Sequence, residues 1–181
     1  MSSWSRADSP VIANILLVAI VVILAATLSV LVLGFTDEAN QPGPIVGQST
    51  GTLEPNPPGS GSDNGFVRIR HMAGDTIRMS DTEVVVDATA ACGKRSRIVD
   101  LPIEDSRLSN SNYEGADIFD NSFAGLPDGS ALERQKYASG DVISFRIPQT
   151  DCIITGRETI TVRVIHTPTN SVVITKTLTA T

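Results

Sequence analysis

The chain has 181 residues, with 14 Lys and Arg against 20 Asp and Glu, and a formal net charge of −6 at neutral pH. No Lys/Arg-rich arm or basic run appears in it, so the electrostatic footprint of a nucleic-acid binder is missing and nucleic acid is not an expected partner. Mild acidity otherwise speaks to solubility.

The charges are distributed unevenly along the chain. Residues 1–35 carry only Arg6 and Asp8, and Val11 to Phe35 is a run of twenty-five uncharged, mostly apolar residues. As a helix rising about 1.5 Å per residue, such a run reaches roughly 37 Å, more than the ~30 Å of hydrocarbon in a bilayer. It exceeds the apolar region of a removable secretory signal, about 7 to 15 residues, and the "GFTDEAN" that follows is a poor cleavage site. Ser9 before Pro10 is a good helix start, because a Ser side chain accepts from an orphan N–H and Pro fixes φ at the first helical position. With Arg6 before the run and Asp37 and Glu38 after it, the positive-inside rule puts the short N-terminus in the cytoplasm and the rest of the chain outside. Asn14, Thr27 and Ser29 interrupt the apolar composition, and Ala25 with Ser29 forms a small-xxx-small pair of the kind that lets helices approach closely in a membrane.

The segment "RADSPVIANILLVAIVVILAATLSVLVLGF", Arg6 to Phe35, resembles the N-terminus of archaeal type IV pilins. These have a short leader ending in a basic and a small residue, then Ser-Pro-Val-Ile and an Ile/Leu/Val/Ala-rich helix. The resemblance implies a leader at residues 1–7, cut by a prepilin peptidase between Ala7 and Asp8. It implies that residues 8–35 are retained, first as a membrane anchor and then as an assembly helix to which Val11, Ile12, Ala25 and Ser29 belong. The partners it implies are the membrane, the peptidase, a pilus assembly platform, and other copies of this chain or related pilins. Two departures stand out: Asn14 occupies a place where many relatives carry Gly, and the helix lacks the internal acidic residue that bacterial pilins use for register.

Residues 36–65 hold five Pro and six Gly, with Asp37, Glu38, Glu54 and Asp63 as their only charges, and read as a linker. Within them "GQSTG", Gly47 to Gly51, satisfies the G-x-S-x-G pattern of a hydrolase nucleophile elbow. That motif needs a strand before it and a helix after it, and neither is expected here, so Ser49 is not read as a nucleophile.

From Phe66 the period changes to alternation. "FVRIRH" and "VISFRI" set apolar residues on one face and Arg or Ser on the other, and "EVVVDA" (83–88) and "RIVDLPI" (97–103) are strand candidates by β-branched content. "TITVRVIH" and "SVVITKTLT", broken by Thr167 to Asn170, read as a terminal hairpin. The expected fold is therefore mainly β with one long N-terminal hydrophobic α-helix, residues 66–181 forming an extracellular antiparallel β-sandwich for which an immunoglobulin-like arrangement is the natural candidate.

Cys92 and Cys152 fit a disulfide if this domain lies in an oxidising compartment, with two buried thiols as the alternative. His71 and His166 lack metal-ligand spacing, so no metal or other cofactor is expected. Gly74-Asp75 and Gly140-Asp141 each precede an alternating run and read as turns. The "H-x-x-GD-x-I" pattern at His71 also resembles the segment downstream of the anchor in archaeal pilin-like proteins. In the turn-rich stretch 104–141, Ser130 with Glu133 forms a capping box for a short helix through "ALERQKYA". Asp117, Asp120, Asn121 and Asp128 supply oxygens without the spacing of an EF-hand loop. No N-x-[ST] sequon occurs.

No nucleophile–base pair or carboxylate dyad emerges, so an enzyme is not expected. The leading reading is a filament subunit assembled through its helix, with the loops of 104–141 displayed for adhesion. The alternative is a monomeric, membrane-anchored extracellular binding module.

Overall fold

The computed structural model describes residues 9–39, 42–54, 64–122 and 125–181. The proposed processing site at Ala7 and Asp8 lies outside them, as does the linker segment 55–63. The chain divides into two compact units, Met1–Pro42 and Gly43–Thr181.

The first unit contains the helix α1, Ser9–Ala39. It extends past Phe35 to the residues that begin the expected linker. The described residues of the second unit form ten strands: β1 Val46–Glu54, β2 Asn64–Gly74, β3 Ile77–Arg78, β4 Thr82–Ala88, β5 Lys94–Ile98, β6 Tyr113–Gly115, β7 Lys136–Tyr137, β8 Val142–Pro148, β9 Thr159–His166 and β10 Ser171–Thr179. A helical turn α2, Thr89–Cys92, joins β4 to β5.

These strands form a three-stranded sheet in the order β1-β2-β8, a five-stranded sheet in the order β10-β9-β4-β5-β6, and a small β3-β7 pair, with every strand pair antiparallel. Read as A-B-E against G-F-C-C′-C″, this is the strand order of a variable-type immunoglobulin sandwich without strand D. A parallel bridge between Leu53 and Ala180 joins the two sheets where β1 passes the end of β10. The facing sides share one core, with Val67, Ile69, Ile143 and Phe145 from one sheet and Val84, Val86, Val162 and Val164 from the other all fully buried.

The main departure from the sequence reading is β1, which lies inside the stretch expected to be linker. Its Gly content has a packing cause. A Cβ on Gly51 would stand 2.5 Å from Leu178 Cδ2 and 3.0 Å from Ile69 Cδ1, so the core is already filled there by its neighbours. A composition that looks like tether is thus a strand cut small to fit. The domain consequently starts near Gly43, and residues 40–45 alone separate α1 from β1.

The other differences are local. "RIVDLPI" is a strand only to Ile98, because Asp100 takes a left-handed conformation (φ 51°) and Pro102 has no N–H to donate to a ladder. The capping-box helix shrinks to a 3-10 turn, Ala131–Glu133, and the chain enters β7 at Lys136. Ser130 Oγ caps that turn by accepting from Leu132 N (3.4 Å), and it also donates to Ser144 O (2.9 Å) and accepts from Ser144 N (3.1 Å), imitating a strand along the free edge of β8. Arg146 N donates to Gly125 O and Asp120 N to Arg146 O on the same edge. That edge is therefore covered and offers no open template for another chain.

Candidate functional site

The feature in search of a partner is α1. Twelve large apolar side chains from Val11 to Leu28 are each between 55% and 64% exposed, with no sheltered side. A helix apolar on every face satisfies nothing by packing one face, so it needs lipid or other helices all round. Val11–Ser29 is long and apolar enough to cross a membrane, with a mean hydropathy of 2.9. Thr27 hides its hydroxyl by donating to Leu24 O at 2.9 Å. Ala25 and Ser29, four residues apart, share one exposed face of the helix, where neighbouring backbones could approach.

The sandwich offers no competing chemical centre among the described residues. Ser49 of the "GQSTG" sequence sits on β1 opposite His71 of β2, yet neither ring nitrogen of the fully buried His71 meets a hydrogen-bond partner. The imidazole instead packs against Tyr137, with ring centroids 5.2 Å apart. Tyr137 donates its hydroxyl to Ile69 O at 3.0 Å, and burial pushes its pKa up. A base without a contact to its nucleophile cannot activate it, and Ser49 lacks the strand-turn-helix setting as well. No group of His, Cys, Asp or Glu able to hold a metal occurs among the described residues. Asp120 accepts from Ser122 N and Asn121 donates to the Tyr113 hydroxyl, so these oxygen-bearing residues are used as loop ties.

Cys92 and Cys152 form a disulfide with Cα atoms 5.5 Å apart. It joins the β4–β5 connection to the β8–β9 connection, and hence the two sheets, at one end of the sandwich. Lys94 Nζ donates to Asp151 O (2.5 Å) beside it. This position differs from the B–F bridge of antibody domains, because neither cysteine lies on a strand.

The outer face of the five-stranded sheet carries a ladder of cross-strand ion pairs. Arg97 pairs with Glu83 (3.1 Å) and Glu114, while Asp87 lies 3.9 Å from Arg95 and 3.7 Å from Arg163. They border a shallow groove of about 400 Å³ lined by Val85, Arg95, Arg97 and Glu114. Hydrogen bonds from the Thr89 hydroxyl and N–H hold the Asp87 carboxyl below its ordinary pKa, with the two arginines adding to the effect. Its Glu114 hydrogen bond raises Arg97.

With α1 as the one described surface that demands burial, the comparison with known families falls on the same residues. Residues 6–47 match the family model described as archaeal type IV pilin, N-terminal. The chain carries an archaeal type IV pilin N-terminal domain. The matched segment takes in the helix and ends on the first residues of β1, so the pilin signature covers the apolar element and stops where the sandwich begins. No curated protein matches the chain. The domain that follows the matched segment is therefore characterised by its own geometry, as a mainly antiparallel β domain C-terminal to an apolar helix.

Proposed function

We propose that this chain is the structural subunit of a type IV pilus-like surface filament rather than an enzyme. A prepilin peptidase removes residues 1–7 by cutting between Ala7 and Asp8. The helix then holds the subunit in the membrane, with the short N-terminus cytoplasmic and the sandwich outside. Assembly on a pilus platform transfers α1 from lipid into a bundle of the same helix from other copies or related pilins. The loops of residues 104–141 face outward and contribute to adhesion.

The observation that carries this reading is the coincidence of the family match with a helix exposed and apolar on every face. Burial in a helix bundle removes the same apolar surface from water as lipid does, and the Ala25/Ser29 face permits the close approach that bundling requires. The long tether that would suit a free-standing binding module is reduced by β1, which takes up part of it.

Mass spectrometry of the mature N-terminus, combined with electron microscopy of sheared surface material, tests the proposal. A chain beginning at Asp8 and present in fibres is the expected result. A chain beginning at Met1 and confined to membranes would instead identify an anchored module. For adhesion, replacing the 104–141 loops while filaments still form should reduce surface attachment, and unchanged attachment would remove that role.

A further inference from the structure

The two outer faces of the sandwich differ in how their charges are compensated. On the five-stranded sheet Glu83, Asp87 and Glu114 meet Arg95, Arg97 and Arg163, each charge facing one of opposite sign. On the three-stranded sheet the register builds three successive rows, Glu54–Phe66–Arg146, Thr52–Arg68–Ser144 and Thr50–Arg70–Val142. Glu54 pairs with Arg68 at 2.5 Å and is the carboxylate of those rows. Arg68 stacks on Phe66 at 3.8 Å from the ring centroid, and Arg146 approaches the same ring at 5.4 Å. No carboxylate among the described residues forms an ion pair with Arg70 or Arg146, and Arg70 is exposed beside a hollow of about 200 Å³. A chain of net charge −6 thus displays one face with more guanidinium than carboxylate.

The complementary surface is on the same domain. The loop after β5 presents Asp100, Glu104 and Asp105 around a hollow of about 420 Å³, and no Lys or Arg among the described residues forms an ion pair with any of the three. Leu101, Ile103 and Leu108 of this loop are buried in the core, and Ile103 N donates to Leu132 O at 2.7 Å. The carboxylates are therefore carried on an anchored loop. Within one chain no ion pair joins this loop to the arginine face.

Two different patches of opposite sign on one chain can meet only between copies. Such a contact is heterologous: it does not close on a two-fold axis but repeats from copy to copy, as a helical polymer requires. We propose that the Arg68–Arg70–Arg146 face docks the Asp100–Asp105 loop of a second copy, a head-to-tail contact between outer domains along the filament. It rests on the filament reading above and adds the domain surface through which neighbours recognise one another. Charge complementarity of this kind fixes register and partner more than it adds affinity.

The test uses full-length chains in cells, with sheared filaments as the readout and a thermal melt to verify folding. Reversing two charges in R70E/R146E is expected to lower filament yield roughly tenfold, since each lost pair becomes a repulsion. Adding E104K/D105K to that variant is expected to restore yield to within about twofold, because the charges are exchanged rather than removed. In addition, R70C/E104C should give disulfide-linked ladders of filament subunits on oxidation. Unchanged yield in R70E/R146E, failure of the exchanged-charge variant to recover, or absence of ladders would overturn the contact. The second of these outcomes would point to an outside polyanion as the occupant of the face. If wild-type chains form no filaments, the filament reading itself falls and the contact falls with it; intact wild-type filaments with unaltered R70E/R146E yield refute the contact alone.

Discussion

The helix and the sandwich treat apolar surface in opposite ways. From Val11 to Leu28 the large side chains are at least 55% exposed, whereas in the β domain Val67, Ile69, Val84, Phe145 and Val162 are fully buried. The domain satisfies its hydrophobic surface by itself, in a core closed by two sheets and pinned by a disulfide. The helix satisfies none of it without lipid or neighbours. One unit can therefore close its own core, while the other has a stable environment only in lipid or among other helices.

The strongest way to break this division is a charge in the helix. Ala25→Asp places a carboxylate on a surface that must be desolvated on all sides, at about 2.5–3.5 kcal/mol on insertion scales. Filaments should disappear from electron micrographs while the domain keeps its melting transition. Persistent filaments would mean that helix packing does not drive assembly.

The converse experiment perturbs the domain and spares the helix. Cys92→Ser with Cys152→Ser opens a link across a sequence separation of 60 residues, for which loop-closure entropy gives about 4 kcal/mol of lost stability. Denaturant unfolding of the disulfide-free chain should show that loss, with membrane insertion of the helix unchanged.

A smaller effect of opposite sign comes from His71. Its ring nitrogens are buried without a partner, so His71→Leu removes a desolvation penalty and should raise stability by about 1 kcal/mol. A lower melting temperature in that variant would show that the imidazole has an unrecognised role.

The smallest effect concerns pH. Because Asp87 is held below its ordinary value by Thr89, the stability it supplies is fully present above the unfolded pKa of about 3.9 and is lost as pH falls through the lower folded value. Asp87→Asn should flatten the acid limb of a stability-versus-pH curve and leave the neutral plateau with only a small offset. An unchanged acid limb would remove Asp87 from the acid response.

Much of this organisation was legible in the residues. Alternation located β2 and β8, β-branched runs located β4, β9 and β10, and the run from Val11 marked the helix, because burial period, β-branched content and unbroken apolarity are properties of consecutive residues. β1 was missed because Gly51 and its neighbours look like tether until Leu178 and Ile69 are seen filling the space beside them. At Ser130 the capping role was legible, since its hydroxyl accepts from Leu132 N, but the same hydroxyl also ties to the edge of β8 fourteen residues away and the helix ends after one 3-10 turn. Arg68 and Arg70 read as an ordinary wet strand face. That Arg70 and Arg146 have no carboxylate partner among the described residues, while Glu54 serves Arg68 alone, became visible only once Arg146 was aligned beside Phe66 and Asp100, Glu104 and Asp105 were placed elsewhere.

By itself, then, the sequence determined a helix that cannot be left in water and a β domain able to close its own core, since both follow from local hydrophobic pattern. Tertiary structure decided the strand order, the extent of the domain, the pairing of Cys92 with Cys152 and the unequal charge of the two faces. These depend on residues far apart in the chain arriving at the same place, and no local pattern records which of them will meet.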